Sequence, residues 1–326
     1  MARTFARLAG VILLAGCTIV ALTGCPGSRD PWPEGNGKRI LTSFAPLHCF
    51  AMNVVGDDGT VLSLMTNHGP HGYSDSPADA LKLRRADLFL INGLELDNTI
   101  ARKLVKSSGN KNLRLVPVGE CIPEKQLLEG GCHCNHDEDS GKKHDHDHGK
   151  DPHVWLGIPE AIRMVEKIRD ELKAIDPANA PKYDSRTSTY VERLKALQAE
   201  GREMLKDKKE RKIVTFHDSL QYFARTFDLK VVDVIEIAPG SEPGTFKMNE
   251  LIKTCEAEGV RLIAVEPQYP SNTAAKTILK ELRARGIQAE FVEIDPLETA
   301  RSEELDADFY ETKMRQNLKN LAEKLK

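Results

Sequence analysis

Six of the chain's ten histidines fall between Gly130 and Leu156, in the run GGCHCNHDEDSGKKHDHDHGKDPHVWL. Imidazole and thiolate are the donors that Zn²⁺ and its neighbours prefer, whereas Ca²⁺ and Mg²⁺ take oxygen. His133, His136, His144, His146 and His148, with Cys132 and Cys134, therefore offer secondary metal sites in a His-rich loop over 130–150. A charged surface loop without function is the plain alternative. The tract has nothing apolar to bury before Val154, so it predicts a solvated loop rather than core. At Asp151 its character changes: Asp-Pro-His-Val-Trp-Leu holds His153 between a proline and an apolar run, as an ordered segment would.

The elements that must position such residues alternate short apolar runs with helical stretches, the signature of βα units and parallel sheet. Strands are expected at Arg39–Ser43, Thr60–Met65, Asp87–Asn92 and Leu113–Val118. Ser76-Pro77-Ala78-Asp79 reads as a helix start, with serine as cap and proline in the first turn. An amphipathic helix begins near Pro159 with Ile162, Val165, Ile168 and Leu172 on one face, and ends near Asp176-Pro177. A second, from about Ala180 to Lys206, would reach about 40 Å, the length of a strut across two lobes. Four more strands then follow, at Lys212–Phe216, Lys230–Val234, Arg261–Glu266 and Ala289–Ile294, with helices such as Met248–Ala257 and Asn272–Arg285 between them.

The expected fold is thus α/β in two lobes, each a four-stranded, mostly parallel sheet flanked by helices, bridged by one long rigid helix. The expected divisions are a leader over 1–24, a tether over 25–38, an N-terminal metal-binding lobe over 39–178, a linker helix over 179–207 and a C-terminal metal-binding lobe over 208–326. No short repeat period is visible, which excludes a solenoid.

Ligands in open α/β sheets gather at loops beyond the carboxyl ends of strands. His71 follows the second strand, His153 the fourth, His217 the fifth, and Asp295 the eighth. Two come from each half. If the halves face each other, three imidazoles and one carboxylate complete a tetrahedral shell with net charge +1 at a divalent ion. A helix starting at His217 would disfavour imidazolium and keep that ring ready to ligate. His68 is a candidate substitute or supporting ligand for His71, His48 is expected to pack near Cys49, and Glu266 is expected outside the ligand set. Neutral imidazole has a reference pKa of about 6.5, so binding should weaken below about pH 6.

Composition bounds the rest. The 326 residues are 40% hydrophobic and 29% charged, with a formal charge of −3. Arg3 and Arg7 precede an apolar run, Leu8–Leu22, that reads as an export signal. Leu22-Thr23-Gly24-Cys25 resembles a lipoprotein cleavage box, as does Leu14-Ala15-Gly16-Cys17; Cys25 is preferred because the polar Pro26-Gly27-Ser28 follows it. Loss of the leader makes the charge two units more negative, which with no basic stripe excludes a nucleic-acid binder. Cys49, Cys121, Cys132, Cys134 and Cys255 would remain. Cys121 can pair with Cys132 or Cys134, or the last two can be metal thiolates.

From about Arg39 onward the sequence resembles the metal-binding subunits of bacterial zinc and manganese ABC importers. Gly69-Pro70-His71-Gly72-Tyr73 resembles the first ligand motif, with glycine where aspartate is usual. The run from Ala86 to Asp97 resembles the most recognisable strand and loop of that family, Asp151 to Leu156 its second ligand motif, and Phe216-His217-Asp218 its third. Glu242-Pro243 and Glu266-Pro267-Gln268 sit where similar pairs occur. The resemblance implies a monomeric zinc receptor that is periplasmic or cell-surface, lipid-anchored and free of catalysis. It would hold Zn²⁺ in an interlobe cleft with little hinge motion and deliver it to an ABC permease. Histidine rather than glutamate at 217, and the His-rich loop, point to zinc over manganese within that family. A manganese receptor, a zinc-dependent hydrolase and a metal-buffering lipoprotein are the alternatives; no HExxH helix or G-x-S-x-G elbow supports the hydrolase.

Overall fold

The computed structural model describes residues 30–35, 37–130, 149–236, 243–269 and 273–326. The leader, Cys17, Cys25, the five loop histidines from His133 to His148, Cys132, Cys134 and Glu242 lie outside the described residues.

The first sheet is built from β1 (Lys38–Thr42), α1 (Ala45–Val55), β2 (Gly59–Ser63), α2 (Pro77–Arg84), β3 (Leu88–Ile91), α3 (Asn98–Ser108) and β4 (Arg114–Pro117). After α4 (Ile158–Ile175) and α5 (Ala180–Leu205), the second comprises β5 (Lys212–His217), α6 (Gln221–Phe227), β6 (Lys230–Glu236), α7 (Thr245–Glu258), β7 (Leu262–Val265), α8 (Thr273–Ala284) and β8 (Glu290–Glu293). A last helix, α9 (Phe309–Lys324), is one the sequence expectations do not include. Both sheets are parallel, ordered β2-β1-β3-β4 and β6-β5-β7-β8. The central strands are buried on both faces, Leu-Phe-Leu-Ile in β3 and Ile-Val-Thr-Phe in β5, because helices cover both sides of a parallel sheet. In each sheet the strand order reverses between two neighbours, β1 and β3 or β5 and β7, which opens a crevice at their carboxyl ends.

The two lobes share one core. A single buried apolar cluster runs from Trp32, Ile40 and Leu41 through Trp155 and Tyr190 to Tyr222, Phe227, Leu262 and Leu318; a smaller one lies within the second lobe. The 26-residue α5 is the seam, packing on α1 and α4 on one side and on α6 and α9 on the other. Trp32, inside the expected tether, is buried and donates its indole N–H to the Lys82 carbonyl at 2.9 Å, so the chain is docked on the first lobe at that residue. Among the described residues no helix is long and apolar enough to cross a membrane.

Gly201 lies at a close approach in the seam. A Cβ there would come within 2.5 Å of the Phe227 ring and 2.7 Å of Leu318. Gly201→Val should therefore cost about 1–3 kcal/mol by overpacking. Chemical denaturation of the metal-free protein should show this as an earlier midpoint in one cooperative transition. An unchanged midpoint would contradict the packing of α5 against α6 and α9.

Candidate metal centre

Three of the four residues expected as ligands meet, and the carboxylate that lies with them is that of Glu298 rather than Asp295. Ligand atoms of His71, His153, His217 and Glu298 all lie within 4.8 Å of one another, the group of this kind found among the described residues. The Glu298 Oε1 is 3.4 Å from His71 Nε2, 3.5 Å from His153 Nε2 and 3.4 Å from His217 Nε2, and the His71 and His153 Nε2 atoms are 3.2 Å apart. Four donors at about 2.0–2.1 Å from a tetrahedral ion stand about 3.3–3.4 Å from each other. Glu298 Oε1 and His217 Nε2 are buried with no hydrogen-bond partner. Orphaned buried polar atoms carry a desolvation cost that a cation between them would offset.

Each of the four residues comes from a different segment of the chain. His71 sits in the turn after β2, whose path bends at Gly72 with φ +74°, and the Tyr73 hydroxyl anchors that turn to Asp79 at 3.0 Å. Asp79 also accepts the Ser76 amide at 2.8 Å, so the expected cap of α2 doubles as the brace of the His71 loop. His153 follows Pro152, whose carbonyl is held by the Asn92 side chain at 3.0 Å. The Tyr222 hydroxyl, from the second lobe, donates to the Asp151 carbonyl at 3.1 Å. His217 is the last residue of β5, not the start of a helix: α6 begins only at Gln221. The expectation that a helix terminus controls this ring is therefore replaced by a carboxylate.

That carboxylate is Glu266, just beyond β7, which accepts from His217 Nδ1 and is itself held by Gln268 at 3.0 Å. Asp151 does the same for His153, accepting its Nδ1–H at 2.8 Å and its backbone N–H at 2.9 Å. With Nδ1 protonated, each Nε2 lone pair is aimed at the centre, and carboxylate partners raise ligand basicity. Burial by itself lowers the His217 pKa, but Glu266 and Glu298 outweigh it and raise it to about 10. Burial likewise opposes, and Asp151 and Glu298 outweigh, a rise to about 9 at His153. Burial disfavours the Glu298 charge, yet the three imidazoles hold its pKa well below the usual carboxylate range.

Asp295 is not at the centre. Its Oδ1 accepts the Leu297 N–H at 2.8 Å and its Oδ2 faces the Lys313 ammonium at 3.3 Å. The chain needs three further residues before a carboxylate, that of Glu298, points inward. Gly69 explains the room for it: a Cβ there would lie 3.1 Å from both Cβ and Oε2 of Glu298. An aspartate at 69 would place a second negative charge against the first. His68 is exposed and outside the cluster. It lines, with His71, Tyr73, Gln268 and Tyr269, a cavity of ≈ 460 Å³ on the side where His71 is 26% exposed. His48 is buried, and burial lowers its pKa to about 4. Cys49 and Cys255 are buried free thiols, while the candidate partners of half-buried Cys121 lie outside the described residues.

Residues 40–324 match the family described as zinc-uptake complex component A, periplasmic. The zinc-binding protein AdcA of Streptococcus pyogenes is 32% identical over 88% of this chain, which spans 56% of the length of that relative. The high-affinity zinc uptake system protein ZnuA of Bacillus subtilis is 29% identical over 98% of both chains. Among solved structures, a crystal structure of ZnuA superimposes with a TM-score of 0.73 at 26% identity, over 89% of this chain and all of that one. FpvC of Pseudomonas aeruginosa in complex with Mn²⁺ gives 0.75 at 26% identity, over 88% of this chain and 98% of the other.

Because Asp151, Glu266 and Glu298 raise the imidazoles of His153 and His217, protons compete for those two ring nitrogens through the neutral range and not only below pH 6. Zn²⁺ binding at pH 7 should release protons, and affinity should fall steadily as pH is lowered. Calorimetry in buffers of different ionisation enthalpy reads the release directly; an enthalpy independent of buffer would contradict the raised values.

Proposed function

Because the chain belongs to the family of periplasmic components A of zinc-uptake complexes, we propose that it is a zinc receptor. It captures Zn²⁺ with His71, His153, His217 and Glu298 and hands the ion to an ABC permease. The observation that carries this reading is the spacing of the four donor atoms, 3.2 to 3.5 Å between those measured, around a point reached from both lobes. Three imidazole nitrogens and one carboxylate oxygen suit Zn²⁺ better than Mn²⁺, which favours oxygen-rich shells. A single anionic ligand binds tightly yet reversibly, as cargo requires. Four protein ligands also leave no open position for a catalytic water, which argues against the hydrolase.

The receptor acts outside the cytoplasm as a monomer, lipid-anchored through Cys25. The histidines from His133 to His148 serve as a lower-affinity collecting tract rather than as part of the cleft. The ends of that tract support the separation: Glu129 and Lys150 pair as an antiparallel bridge, and the Gly130 amide donates to the Gly149 carbonyl at 2.8 Å. Excision between them leaves a short closure and does not pull on His153.

Competition titration of Zn²⁺ and Mn²⁺ against a chromophoric chelator tests both parts. Deleting residues 131–148 should leave one tight zinc site for which Mn²⁺ competes poorly, whereas His153→Ala should weaken it by orders of magnitude. Loss of the tight site on deleting the tract would contradict the assignment and favour a buffering protein.

A further inference from the structure

Glu298 reaches the three imidazoles at the end of a short arm, Asp295-Pro296-Leu297-Glu298, that leaves β8. The arm contains a conformational oddity. Leu297 has φ +64°, in the left-handed region that a non-glycine residue enters only under constraint, and its side chain is fully buried. Without something to hold it, this residue would relax to negative φ and swing the following carboxylate away.

What holds it is a set of hydrogen bonds centred on Asp295. Its Oδ1 accepts the Leu297 N–H at 2.8 Å, closing the turn across Pro296. The Asn317 side chain grips the Asp295 backbone on both sides, accepting its N–H at 2.9 Å and donating to its carbonyl at 2.7 Å. The Trp155 indole, two residues from His153, donates to the Pro296 carbonyl at 2.8 Å. We propose that Asp295 is the positioning residue of the carboxylate ligand: its side chain clamps the left-handed turn at Leu297 that delivers Glu298 to the metal, without touching the metal itself. The proposal rests on the assignment of Glu298 as a zinc ligand and adds the device that keeps it in place.

Geometry and charge can be separated at this position. Asp295→Asn keeps an oxygen acceptor for the Leu297 N–H and loses the charge. Asp295→Glu keeps the charge and moves the acceptor by a methylene. Both are compared with Glu298→Gln in the full chain by zinc competition titration, by the visible spectrum of the Co²⁺-loaded protein, and by the denaturation midpoint without metal. Supporting a bracing carboxylate of this kind is typically worth 10–100-fold in metal affinity. Asp295→Asn should bind within about threefold of the native chain, and Asp295→Glu about 10–100-fold more weakly with an altered Co²⁺ spectrum. Should the longer side chain prevent folding, Asp295→Ala takes its place with the same expectation.

The reverse order, a weak Asn variant and a native-like Glu variant, would show that Asp295 acts by its charge and overturn the proposal. So would native affinity and an unchanged spectrum in both. Native affinity in Glu298→Gln would instead overturn the ligand assignment beneath it.

Discussion

A buried carboxylate oxygen without a hydrogen bond governs this molecule. Glu298 Oε1 stands 3.4 to 3.5 Å from three imidazole nitrogens, too far for good hydrogen bonds and about right for four donors around one small cation. Burying a charge is expensive unless it is paired; without metal the three imidazoles offset the Glu298 charge, and a cation among the four donors would take over that role. The carboxylates behind the rings, Asp151 and Glu266, prepare for that ion by fixing which nitrogen carries the proton. Among the described residues His71 shows no such brace; it is the most exposed of the four and lines the cavity beside the site.

The fold serves this constraint through rigidity. A core continuous from Trp32 to Leu318 joins the lobes, and α5 is pressed into it closely enough that Gly201 has no room for a side chain. Near the site the lobes are stitched by the Ala300 amide on the Thr66 carbonyl, Trp155 on Pro296, and Tyr310 on the Trp155 carbonyl. Opening such an arrangement as two hinged bodies would expose shared apolar surface, which disfavours a hinge between the lobes.

Much of this was legible in the sequence. The alternation of apolar runs and helical stretches located all eight strands to within two residues, and the rule that ligands lie beyond strand carboxyl ends picked three of the four residues whose donor atoms meet, His71, His153 and His217. The carboxylate that joins them, Glu298, was not read for a physical reason. The first acid after β8 is Asp295, and only a left-handed turn at a leucine carries the chain on to Glu298; leucine gives no warning of a positive φ. Gly69 held the one available hint, since the absence of the usual aspartate left both a space and a charge to be supplied from elsewhere. The influence on His217 was likewise misplaced: the ring answers to Glu266, across the switch point between β5 and β7, a contact set by topology. α9 was readable from Tyr310, Met314, Leu318 and Leu321, spaced four, four and three apart, but without tertiary context that stripe names no partner.

X-ray absorption at the zinc edge of the loaded protein lacking residues 131–148 tests the central claim most directly. Three nitrogen donors and one oxygen at about 2.0–2.1 Å, with one scatterer lost or lengthened in Glu298→Gln, is the predicted result. A sulfur shell at about 2.3 Å, or a spectrum indifferent to the loss of Glu298, would contradict it.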